Sequence, residues 1–92
     1  MGVSMYALNI LYNNRVISDL EFKIEAIDRR IMAVNVAAQT GQMSIFEAHA
    51  VENMLIQQKH NMEAQKDARQ NMLEKAQKEA KEEIKSSFTI NA

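Results

Sequence analysis

Thr40-Gly41-Gln42-Met43-Ser44-Ile45-Phe46-Glu47 is the stretch that decides how this chain folds. The chain has two glycines and no proline, and Gly41 is the only glycine away from the start. A glycine can take the left-handed backbone that closes a helix one residue past its cap. Three residues later, Ser44-Ile45-Phe46-Glu47 has the pattern of a capping box. In such a box the serine hydroxyl accepts the glutamate N–H, and the glutamate carboxylate reaches back to the serine N–H. A helix stop followed at once by a helix start predicts two helices and a turn at 41–44. The rival is one continuous helix kinked at Gly41.

Upstream of this turn lies the clearest periodicity. Ile10, Ile17, Ile24, Ile31 and Ala38 recur every seven residues, and Leu20, Ile27 and Val34 fall between them in 3-4 spacing. Carried backwards, the row takes in Val3 and Tyr6, with Asn13 as its one polar member. A seam sustained over more than three heptads predicts a helix over about 4–40 that packs in coiled-coil fashion. Asp19 precedes Lys23 by four residues and Glu25 precedes Arg29 by four, the favourable order for pairs on a helix surface.

Downstream, helix 2 is expected over about 45–86, with a loose tail at 87–92. Its apolar rhythm reads as eleven residues through Val51, Met62, Leu73 and Ile84, with Ala48, Leu55, Ala76 and Ala80 near that line and Gln58, Gln65, Lys66 and Arg69 interrupting it. From Lys59 onward it is rich in Lys, Glu, Gln and Ala, a solvated composition. The fold class is therefore all-α: one domain, two long helices in an antiparallel, coiled-coil-like hairpin, expected to be oligomeric.

Oligomerisation is inferred from what the hairpin leaves uncovered. Folding at Gly41 pairs Val34 with Val51, Ile31 with Leu55 and Ile24 with Met62. Ile27 then meets Gln58 or Lys59, Leu20 meets Gln65 or Lys66, and Ile17 meets Arg69. Long Lys and Arg stems cover apolar surface only in part. Each large aliphatic side chain left exposed forgoes about 1.5–3 kcal/mol of burial. The middle of the seam is thus expected to need a second chain, and isoleucine at both core positions leans towards trimers or tetramers. The turn end, with Met32, Met43, Ile45, Phe46 and Met54, is apolar on more than one face. The candidate interface residues are Ile10, Ile17, Leu20, Ile24, Ile27, Ile31 and Val34 along the seam, and Phe46, Met54 and Leu55 at the turn. Asn13 in a core position would help fix register. Residues 5–12 are apolar nearly all round but carry no Lys or Arg, which favours a protein interface over a lipid surface.

Chemistry is not legible. His49/Glu52 and His60/Glu63 each form His-x-x-Glu, which places both side chains of a pair on one helix face. The pairs stand eleven residues apart, about 16 Å along a helix, and cannot share one ion. Two solvent-facing histidines are the plain reading. There is no cysteine and no glycine-rich phosphate loop, and no serine has histidine and acid at recognisable spacing. No enzyme, cofactor, metal or small-molecule substrate is expected. The net charge is −1, and residues 1–41 balance four basic against four acidic side chains. That argues against nucleic acid as a partner. No apolar run has the length of a membrane span, so membrane association is not expected. A cytoplasmic setting is the default, with export lacking a cleavable signal left open.

In size and hairpin form the chain is similar to small subunits and chaperones of bacterial secretion machines. The likeness is architectural: neither a tryptophan-x-glycine turn nor a proline-containing needle turn is present, so no family is assigned. The leading expectation is a structural or assembly protein that self-associates through helix packing, as in a filament or secretion-type assembly. The alternative is an adaptor, chaperone or regulator that docks a helix of another protein. The expected partner is thus either further copies of the chain or a helical protein.

Overall fold

Two helices, α1 (Val3–Gln39) and α2 (Ile45–Asn91), pack against each other as a helical hairpin in the computed structural model. Residues 3–91 are described, with side chains over 5–87. The helix stop and the helix start read from the sequence are both present, the capping box with its Ser44 half. Gly41 has φ +78°, the left-handed conformation. Its N–H donates to the Ala38 carbonyl at 3.4 Å, and the Gln42 N–H donates to the Ala37 carbonyl at 2.9 Å. These two bonds form a Schellman motif, which satisfies carbonyls that the end of α1 would otherwise leave unpaired. The Thr40 hydroxyl donates to the Val36 carbonyl at 2.9 Å. At the start of α2 the Glu47 N–H donates to the Ser44 hydroxyl at 3.1 Å, and the Ala48 N–H donates to the Ser44 carbonyl at 2.9 Å. Ser44 is therefore the N-cap. Ser44→Ala should lower unfolding stability by about 1 kcal/mol, read from urea melts. A melt unchanged within error would show that the cap contributes nothing.

α2 ends later than expected. A loose tail was predicted from residue 87, yet the helix continues to Asn91. Nothing after Lys85 is a glycine or proline that would break it. Ala92 lies outside the described residues.

The chain divides into two compact units, each built from a piece of both helices. Leu20–Gln65 form one, which holds the turn. The described residues up to Asp19 and from Lys66 form the other. In the turn unit Leu20, Ile27, Ala48 and Leu55 are buried; in the other, Asn13, Ile17 and Ala76 are.

The buried positions on α2 correct its predicted rhythm. Ala48, Leu55 and Ala76 are buried, Met62 and Arg69 are half-buried, and all five lie on one seven-residue row. Of the eleven-residue row, Val51, Met62 and Leu73 are half-buried and Ile84 is exposed. A seven-spaced seam on one helix presents itself to its partner only if the partner keeps the same spacing.

Candidate interaction surface

Beneath any surface lies the seam, and it is drier than predicted. Ile17, Leu20 and Ile27 are 7%, 6% and 5% exposed within the single chain, and Leu55 is 4% exposed. Ile10, Ile24, Ile31 and Val34 are half-buried. The expectation that α2 leaves the middle of the seam uncovered is therefore corrected: these side chains form the intramolecular core. The physical reason is the length of the basic side chains opposite.

In the turn unit, Lys59 reaches Asp28, with Nζ 2.7 Å from Oδ1. Asp28 follows Ile27 directly, so the ion pair holds the four-carbon stem of Lys59 down along the seam. The hydrogen bond to Asp28, and its charge, hold the Lys59 ammonium above its ordinary 10.5, against the opposing pull of desolvation. A raised folded value means that this contribution is fully present below pH 10.5 and is lost only as pH rises above it. The pair is accordingly silent through the neutral range.

The other unit uses Arg69 in the same way. The Arg69 guanidinium carbon stands 5.5 Å from the centre of the Tyr12 ring, a cation–π arrangement. Its Nη1 also donates a long bond, 3.5 Å, to Asn13 Oδ1. Asn13 is 2% exposed, the most buried polar side chain among the described residues. Its Nδ2 donates to the Asn9 carbonyl at 3.0 Å and to Asn9 Oδ1. Both faces of this amide are thus satisfied, as a buried polar group requires. The heptad row left Asn13 open between a core position and a frayed N-terminal turn facing water, and the structure buries it.

Beside this cluster opens a groove of about 510 Å³. Met5, Leu8, Tyr12 and Met72 line it with apolar surface, and Arg69 and Glu79 also border it. Glu79 stands 4.0 Å from Lys75 on its own helix. From the sequence, Arg69 reads only as cover for Ile17, Tyr12 falls within the apolar stretch 5–12, and Met72 is not singled out. The signal that would have found Arg69 is its place on the seven-residue row of α2.

The turn unit carries the strongest exposed apolar surface. Phe46 is 88% exposed, and Ile45, Met54, Phe22, Met32 and Val36 are exposed as well. Of the three turn-end candidates, Phe46 and Met54 face solvent while Leu55 belongs to the core. A smaller groove of about 290 Å³ lies between Arg30, Ala33 and Val34 of α1 and Val51, Met54 and Gln58 of α2.

His49 and His60 are both exposed. Among the described residues no three His, Cys, Asp or Glu stand together as a metal site. None of the described helices is long and apolar enough to cross a membrane. No family model, curated protein or solved structure matches the chain.

Proposed function

We propose that this chain is a structural or assembly protein that self-associates through its exposed apolar side chains. One observation carries the reading: within a single chain Ile17, Leu20 and Ile27 of the seam are buried and the rest of it is half-buried, yet large apolar side chains remain in water around it. In the turn unit Phe22, Met32, Val36, Ile45, Phe46 and Met54 are exposed, and in the other unit Met5, Leu8, Leu11, Tyr12 and Met72 are. Single exposed apolar residues are ordinary on any protein, but groups of them mark interaction sites. The seam itself is not the contact surface; the contact is made by the rows and tip that the hairpin does not use.

Light scattering coupled to size-exclusion chromatography tests this. The expected result is a mass above the 10.5 kDa of one chain that grows with loading concentration. A single 10.5 kDa species up to millimolar concentration would refute the proposal. Appearance of a larger species only on adding a second, helical protein would favour the adaptor reading instead.

A further inference from the structure

We propose that copies associate heterologously, with the Phe46-Glu47 knob of one copy seated in the Met5/Leu8/Tyr12/Met72/Arg69 groove of the next. This rests on the self-association proposed above and names its contact.

The groove asks for an apolar group beside an acid. Its walls are apolar, and an aromatic side chain fits them well: methionine sulfur and the Tyr12 ring both pack favourably against an aromatic. At its edge stands Arg69, whose partners among the described residues are both neutral, the Asn13 amide and the Tyr12 ring. Glu79 on the same rim already faces Lys75. A guanidinium with five donors and no carboxylate is poised for one.

The chain carries the complementary feature on its own surface. Phe46 is the most exposed large apolar side chain among the described residues, at 88%. It opens α2, with Glu47 next to it, and the Glu47 carboxylate has no ion pair among the described residues. Neighbouring residues have Cα atoms about 3.8 Å apart. The knob therefore offers an apolar ring and a carboxylate from adjacent positions at the start of α2. Knob and groove are different patches of one chain, so each copy offers both halves of the contact. As a heterologous contact, such an interface closes into a ring or propagates as a filament.

A charge-exchange experiment decides it. Glu47→Arg places arginine against Arg69, and Arg69→Glu places glutamate against Glu47, so each variant alone should lose assembly. Mixed in equal amounts they restore every contact in alternation, and assembly should return. Phe46→Ser removes the ring at a position where the fold loses nothing, and should raise the concentration for half-association about tenfold or more. Circular dichroism checks that each variant is helical. If Arg69→Glu unfolds the chain, Phe46→Ser and Glu47→Arg still decide the matter. Assembly of Phe46→Ser at the wild-type concentration, or a mixture no better assembled than its components, overturns the knob-and-groove contact while self-association stands. A wild-type chain that is monomeric throughout overturns both.

Discussion

Leu55→Ala is expected to lower the unfolding free energy by about 2–5 kcal/mol, the range for a buried leucine truncated to alanine. Leu55 is 4% exposed and is the largest apolar side chain that α2 buries in the turn unit. Its α2 neighbours on the seven-residue row are Ala48, already small, and Met62, only half-buried. A domain of this size has total stability of the same order as the loss. The variant should therefore be largely unfolded at ambient temperature, seen as loss of helical circular dichroism. Melts are compared at one protein concentration, because self-association would stabilise the folded state by mass action. A Leu55→Ala protein that melts within 0.5 kcal/mol of wild type, a margin on the order of that seen for surface substitutions, would show that Leu55 is not part of the core.

Asn13 should respond with opposite signs to two substitutions. Asn13→Ala removes the amide and leaves a void at a position 2% exposed, and should cost about 1–3 kcal/mol. Asn13→Leu fills the same space with apolar surface. Arg69 is half-buried and keeps Tyr12 as a partner, so it is not left as an unpaired charge. The leucine variant should be as stable as wild type or more so, since exchanging a buried polar contact for packing is often neutral or favourable. What it should lose is uniqueness: a single polar residue in an aliphatic seam penalises every register that misaligns it. Amide NMR spectra of Asn13→Leu are expected to show more than one set of peaks. A leucine variant as well resolved as wild type would assign Asn13 no part in register.

Arg69 links these effects to assembly. It covers the seam beside Asn13, stacks on Tyr12 and borders the groove. One side chain thereby serves both the core beneath it and the surface above it. A stability melt and an association measurement on the same Arg69 variant separate the two roles.

The hairpin was legible in the sequence by itself because its signals are local. Gly41 and Ser44 act through backbone atoms within five residues of themselves, so their types and spacing already imply the Schellman motif and the N-cap. The α1 seam was legible for a related reason: a helix repeats every 3.6 residues whatever it packs against, and aliphatic residues in 3-4 spacing must share a face. That row left Asn13 open between the core and a frayed turn facing water, and its burial was decided by packing.

Whether the seam is covered was decided only in the tertiary structure. Lys59 and Arg69 read as charges in a list of residues, and charge argued for exposure. Each is in fact a long apolar stem with a polar head, and where the stem lies depends on the partner that holds the head. Asp28, Asn13 and Tyr12 are those partners, and they sit on the other helix, far away in the chain. The spacing of residues within α2 does not show which heads on α1 hold those stems, and so the burial of Ile17, Leu20 and Ile27 and the groove beside Tyr12 were decided by the packing of the two helices.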